Sequence, residues 1–232
     1  MFANCKIKLI NDHLIIQDKQ NILVDTGSPI SFHPLGVLHI GENDIPVSKR
    51  IPGVTTTYLS EKVGLEINGL IGMDIINSFP VLISLKNGFF FLDDDAEYAT
   101  HFHMFPLPPI AGGLIAVTLQ VNHRKANMIV DTGAKISYIH PIFTSGMESC
   151  GSRDDFSPYV GNFKTETYMC EVNTLICSTN NRVYSQLFGT PPEIISMTLQ
   201  QLNVDGIIGI DLFKRFRLQI RNSVLYLPPQ GI

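Results

Sequence analysis

No apolar run in this chain approaches the ~20 residues that a membrane-spanning helix needs. No block of lysine and arginine offers an electrostatic footprint for nucleic acid, and the formal net charge is −4. The opening residues, MFANCKIKLINDH, lack the basic-then-apolar pattern of an export signal. The expectation is a soluble cytoplasmic protein without nucleic-acid or membrane partners. Cysteine is scarce, with Cys5, Cys150, Cys170 and Cys177 scattered and no Cys-x-x-Cys. A disulfide from Cys150 to Cys170 or Cys177 would need an oxidising compartment, so free buried thiols are expected. Metal-ligand patterns are thin as well. His101-x-His103 has no third ligand in sight and reads as part of a solvated linker, so no metal or cofactor is expected. Charged residues make up 16% of the chain, below the usual share of about 25%, against 44% hydrophobic. That balance favours a globular protein rich in buried strands.

What the chain does have is repetition. ILVDTGSPIS at 22–31 is answered by MIVDTGAKIS at 128–137, with Asp25 and Asp131 106 residues apart. NGLIGMDII at 68–76 is answered by DGIIGIDLF at 205–213, so that Gly69, Gly72 and Asp74 match Gly206, Gly209 and Asp211. A fainter echo sets GVTTTYL (53–59) against GNFKTETYM (161–169). The order is the same in both halves, which reads as one module written twice. By these offsets the second copy is longer, and the extra residues fall after Tyr168. PPEIISMTLQQLN (191–203) lies there, with Ile194, Ile195, Leu199 and Leu202 at helical spacing behind a proline start.

Most of the rest reads as strands, giving an all-β class with a short helix per half. IKLI and LIIQ flank a turn-like NDH, and LIAVTLQVN with ANMIVDTG repeats that hairpin. FPVLISLKNGFFFL and FRLQIRNSVLYL are a second matching pair, with turns expected at Asn87-Gly88 and Asn222-Ser223. An acidic, then proline-rich stretch at 93–113 is the expected linker between an N-terminal half (1–92) and a C-terminal half (114–232).

A single Asp-Thr-Gly needs no more than a tight turn. Two in equivalent settings, each followed by apolar-apolar-Gly, suggest paired carboxylates. If the modules pack about a two-fold axis, Asp25 and Asp131 meet on it. Two carboxylates a few ångströms apart cannot both ionise easily, so one keeps its proton. The pair then offers a base for a water and an acid for a carbonyl, which amide hydrolysis without a covalent intermediate requires. Gly27 and Gly133 leave room for a substrate backbone, and Thr26 and Thr132 can exchange hydrogen bonds across the axis. Asp74 and Asp211 are expected to cap the helices that follow.

VDTGS, VDTGA and the apolar-apolar-Gly loops LIG and IIG resemble the retropepsin-like branch of the aspartic peptidases, in which two aspartates share one proton. The resemblance covers nearly the whole chain and fits a compact, single-chain, bacterial-type member with two fused acid-protease barrels related by a pseudo-two-fold axis. It implies a monomeric aspartic endopeptidase acting on peptides or proteins through Asp25 and Asp131. A non-catalytic peptide-binding or assembly module on the same fold is the alternative. Gly72 and Gly209 would brace the dyad. Each half would supply a flap hairpin, with tips at Gly53 and Gly161 and with Tyr58, Tyr159 and Phe163 lining the groove. Only 47 residues separate Asp25 from Gly72, against 78 from Asp131 to Gly209, so the first flap would be stunted. The arginine that retroviral enzymes carry after the bracing glycine is replaced by Met73 and Ile210. The terminal segments, 1–10 and 226–232, would knit the halves into one sheet. Ser28 would donate a hydrogen bond to Asp25, where Ala134 offers Asp131 nothing, so that Asp25 more often holds the charge and Asp131 the proton.

Overall fold

The computed structural model of the chain describes residues 3–79, 81–85, 88–92, 103–106, 110–157, 160–174, 182–215, 219–221 and 224–227. It is mainly β. The N-terminal half holds strands β1 (Ala3–Ile10), β2 (His13–Gln17), β3 (Asn21–Val24), β4 (Val37–Ile40) and β5 (Asn43–Pro46), helix α1 (Thr56–Val63), β6 (Gly69–Ile71), α2 (Met73–Ser78), β7 (Val81–Ser84) and β8 (Phe89–Leu92). Within the expected linker lies β9 (His103–Pro106). The C-terminal half holds β10 (Ala116–Val121), β11 (Arg124–Val130), β12 (Ser137–Ile139), β13 (Ser152–Ser157), β14 (Gly161–Thr174), β15 (Arg182–Gly189), α3 (Glu193–Gln201), β16 (Gly206–Ile208), α4 (Ile210–Arg215), β17 (Gln219–Arg221) and β18 (Val224–Leu227).

Two larger sheets run in the orders β6-β3-β2-β1-β8-β7 and β10-β11-β16-β12-β15-β14-β13. Both expected N-terminal hairpins form. Each turns on two residues with positive φ, Asn11 (48°) and Asp12 (65°) in the first, Asn122 (48°) and His123 (64°) in the second. Two left-handed residues in succession match the twist of the strands they join. One apolar cluster runs through both halves, from Ile7, Leu14 and Phe90 to Leu119, Phe188 and Ile208. A smaller one (Ile15, Leu23, Phe32, Leu59, Val63, Ile67 and Leu70) seats α1.

The helices correct the expected alignment of the halves. Residues 53–59 do not match 161–169, because Tyr58 lies on α1 and Tyr168 on strand β14. The run of threonines in GVTTTYL looks strand-like, but Thr55 caps α1 by accepting the Tyr58 N–H at 3.1 Å, and Leu59 and Val63 are buried one turn apart. A helix thus precedes the short parallel strand in both halves, α1 before β6 and α3 before β16. The extra length of the second half lies in β13, β14 and β15. On α3 itself Leu199 is buried, while Ile194, expected on the inner face, is exposed.

The chain ends do not pair as expected among the described residues. β1 pairs with β2 and β8, whereas β18 pairs with β17 and β9, so the strand inside the expected linker takes the place at β18 that a terminal strand was to fill. β17 runs close beside β7, which brings the two C-terminal hairpins together. The turns at 87 and at 222–223, and residues His101, Tyr159 and Cys177, lie outside the described residues. Cys5 and Cys170 are buried free thiols, and Cys150 is free and exposed. No helix among the described residues is long and apolar enough to cross a membrane.

His13, read in the sequence as part of a turn, is instead the first residue of β2 and is buried, with both ring nitrogens lacking a hydrogen-bond partner. Burial, then the nearby Lys135, lower its pKa to about 4, against a smaller opposing pull from Asp12. A depressed pKa means that the fold favours the neutral ring. The associated stability is present above the unfolded value near 6.5 and is lost as pH falls through about 4. Acidification across that window should cost roughly 3 kcal/mol through this residue. Denaturant titrations of wild type and His13→Met at several pH values check it. The wild type should lose that much more than the variant, and equal losses would clear His13 of the role.

Candidate active site

Two strands of the same build deliver Asp25 and Asp131. β3 lies parallel to β6, with Val24 opposite Ile71, and β11 lies parallel to β16, with Val130 opposite Ile208. Each aspartate follows directly and donates its N–H to the partner strand, Asp25 to Ile71 O and Asp131 to Ile208 O, both at 2.9 Å. Past the aspartates the chain turns sharply and leans on the loop that ends the partner strand. Met73 N–H reaches Ser28 O at 2.8 Å, and Ile210 N–H reaches Ala134 O at 2.9 Å. A Cβ at Gly72 would stand 2.7 Å from Ser28 O, and one at Gly209 2.6 Å from Ala134 O. Glycine is required there because backbone touches backbone.

Ser31 and Ser137, which repeat in the sequence without an assigned part, complete the brace. Their hydroxyl oxygens accept the N–H groups of Gly72 (2.8 Å) and Gly209 (3.0 Å). Both side chains are buried. Asp74 does not cap α2, whose N-cap is Gly72. Its carboxylate turns back to accept the Ser31 N–H at 2.8 Å and the Ser31 hydroxyl. Asp211 differs again: Gln186 Nε2 donates to its Oδ2 at 3.5 Å and to Ser137 Oγ at 3.4 Å. A carboxylate two residues beyond the bracing glycine thus fastens that loop to the Asp-Thr-Gly loop, directly in one half and through an amide in the other.

Thr26 and Thr132 are wholly buried and bind reciprocally. Thr26 N–H donates to Thr132 Oγ1 at 3.0 Å, and Thr132 N–H to Thr26 Oγ1 at 2.9 Å. Each hydroxyl then donates onward across the halves, Thr26 to Val130 O (2.7 Å) and Thr132 to Val24 O (2.8 Å). This exchange sets the two carboxyls side by side, close enough that each bears on the other's protonation. Gly27 N–H donates to Asp25 Oδ1 at 2.9 Å, and Gly133 N–H to Asp131 Oδ1 at 2.8 Å. Each carboxyl also lies against the opposite glycine: a Cβ on Gly27 would fall 2.3 Å from Asp131 Cγ, and one on Gly133 2.6 Å from Asp25 Oδ1.

Burial raises the pKa of both carboxyls, and at Asp25 the negative charge of Asp131 adds to it. Backbone N–H groups of Gly27 and Ser28, and of Gly133 and Ala134, pull the other way. The pair retains one proton to higher pH than an isolated carboxyl would. Ser28 plays a different part from the one expected. Its hydroxyl donates to Ile30 O at 2.9 Å, within its own loop, and Ala134 occupies the matching place with a backbone N–H to Asp131 at 3.1 Å. The difference between Ser28 and Ala134 therefore does not decide which aspartate is charged.

The groove residues separate. Gly161, with φ of 80°, opens β14 and pairs with Ser157 at the last register position of the β13–β14 hairpin. Gly53 is not a flap tip. It lies in a tight turn, closed by Val54 N–H to Ile51 O at 3.1 Å, that leads straight into α1. Between Asp25 and α1 the first half carries instead the short β4–β5 hairpin. Phe163 on β14 stands 6.1 Å, ring to ring, from Tyr138, and Tyr58 on α1 stands 5.0 Å from Phe156 on β13. A third carboxyl, Asp155 on β13, accepts the Tyr138 hydroxyl. Its own pKa is raised by burial, and its charge in turn lifts that of Asp131. Asp155 is half-buried, and only the pairing with Tyr138 distinguishes it from a surface charge in the SRDDFS run. No group of three or more potential metal ligands occurs among the described residues.

No family model matches this chain, and no curated protein matches it. Among solved structures it is similar to a retropepsin-like aspartic protease from Rickettsia conorii, at 16% identity over 57% of this chain and 96% of that one, with a TM-score of 0.37. It is also similar to the EIAV protease in complex with the inhibitor HBY-793, at 14% identity over 43% of this chain and 85% of that one, with a TM-score of 0.30.

Proposed function

We propose that this chain is an aspartic-type endopeptidase in which Asp25 and Asp131 form the catalytic dyad. One observation carries the reading. Two half-buried carboxyls from distant parts of the chain stand side by side at the meeting point of two Asp-Thr-Gly loops that grip each other through Thr26 and Thr132. A fold that served only to bind peptides would gain nothing from holding two carboxyls in mutual repulsion.

In the singly protonated pair, the ionised carboxylate takes a proton from a water as its oxygen bonds to the peptide carbonyl carbon. The protonated carboxyl gives its proton to the carbonyl oxygen. The carboxyl that took the water's proton passes it to the amide nitrogen, a gem-diol hydroxyl gives its proton to the other carboxylate, and the C–N bond breaks to release an amine and a carboxylic acid, leaving the pair singly protonated. The two halves, 1–92 and 114–232 with 93–113 between them, act as the copies of one duplicated module about a pseudo-two-fold axis. The matched registers of β3 with β6 and β11 with β16 support that reading. Because one chain supplies both aspartates, the active form is a monomer, with a peptide or protein as substrate and the cytoplasm as the proposed site of action.

Incubation with a mixed peptide library, with and without pepstatin, tests this. New termini that pepstatin suppresses are the expected result. A folded, monomeric chain that binds peptides but leaves the library intact would turn the conclusion to the non-catalytic binding module.

A further inference from the structure

The β13–β14 hairpin has two working faces. Asp155 and Phe163 are opposite each other in register, as are Phe156 and Asn162 one position along. Side chains alternate on a strand, so the first pair shares one face and the second pair the other. The first face meets Tyr138 of its own half. The second meets α1 of the N-terminal half, where the Tyr58 ring stands 5.0 Å from the Phe156 ring and Lys62 Nζ lies 4.1 Å from that ring's centroid. The same ammonium donates to Asn162 Oδ1 at 3.0 Å.

Lys62 makes no salt bridge among the described residues. Its ammonium donates instead to a hairpin 100 residues away. A cation over an aromatic face is held by the ring's quadrupole, and more firmly when water is partly excluded. The N-terminal half offers no long hairpin among its described residues to meet β13–β14 from the other side, and α1 occupies that position instead.

We propose that Lys62 is a positioning residue that latches the β13–β14 hairpin against α1. The proposal rests on the peptidase reading for its purpose, but the latch is a physical contact with its own test.

The sequence contains no tryptophan, so Phe156→Trp places a single fluorophore at the contact. The Asp25→Asn background removes any self-cleavage and makes the readout independent of catalysis. Acrylamide quenching of this chain should be weak. Adding Lys62→Ala should raise the open population, and with it the quenching, several-fold, up to about tenfold. Lys62→Arg keeps a cation over the ring and should leave quenching weak.

A second measurement guards against disturbance by the indole. In the same background without the fluorophore, cleavage by added chymotrypsin within 152–166 should speed up by a similar factor in Lys62→Ala and not in Lys62→Arg. Quenching and cleavage rates indifferent to Lys62, or an arginine variant behaving like alanine, would overturn the latch. A latch that passes both tests on a chain that cuts no peptide would refute the peptidase reading alone.

Discussion

Asp25→Asn and Asp131→Asn should each abolish peptide cleavage, by about 10²–10⁴-fold or more, in chains that fold at least as well as the wild type. The loss follows from the division of labour in the pair, since an amide can neither take the water's proton nor replace the acid that protonates the carbonyl. The stability gain follows from the raised pKa values. A carboxyl whose pKa is raised by folding contributes stability that is complete below its unfolded value and fades as pH climbs through its folded one. Asparagine does not titrate, so the stability of each variant relative to wild type should grow as pH rises from acid to neutral. Parallel denaturant titrations and peptide assays check both halves of the statement. Retained turnover in a folded single variant would refute the dyad. A variant that loses ground to wild type on going to neutral pH would show that the carboxyls are not strained by burial. The same raised values place the singly protonated, active form above the ordinary carboxylate range. The neutral His13 favoured by the fold points the same way, because strong acid works against the fold itself.

Thr26→Val and Thr132→Val should be the most damaging single changes to the fold. Valine has the shape of threonine without the hydroxyl. At Thr26 it would strand the Thr132 N–H and the Val130 carbonyl, and at Thr132 the Thr26 N–H and the Val24 carbonyl, all where water cannot follow. A buried group left unpaired costs about 1–3 kcal/mol, so each variant, with two, should lose roughly 2–6 kcal/mol. Serine keeps both bonds and gives up a methyl, worth about 1 kcal/mol. Midpoints of chemical denaturation should therefore rank wild type, serine, then valine. Activity should fall with valine even where the chain stays folded, because the reciprocal bonds are what align the two loops. Equal midpoints for serine and valine would mean that the hydroxyls hold nothing together.

The central part of this arrangement was legible because it is written twice. Asp-Thr-Gly and apolar-apolar-Gly each recur after an apolar strand, and the loops they build are held by backbone contacts that only glycine permits. Ser31 and Ser137 were visible as an echo, yet a serine's partner depends on which loop folds back over it, and spacing along the chain does not say that. Asp74 and Asp211 carried the usual mark of a helix cap. Tertiary partners claimed both carboxylates.

The periphery misled for a related reason. GVTTTYL and GNFKTETYM share residue types, but a capping threonine and two buried residues a turn apart make one a helix, while alternation and a long antiparallel partner make the other a strand. That single misalignment moved the extra length of the second half to the wrong place and made Gly53 a flap tip. The contact of Lys62 with Phe156 joins two segments with no shared pattern, so it could only be seen once the halves were placed together.

The most direct test of a dyad built within one chain is to mix the two inactive variants. Asp25→Asn and Asp131→Asn are combined over a range of concentrations and assayed on a peptide that the wild type cleaves. If one chain supplies both carboxyls, every mixture stays inactive while the wild type cleaves at all dilutions. Activity that returns on mixing and grows with concentration would place the dyad between chains and contradict the account.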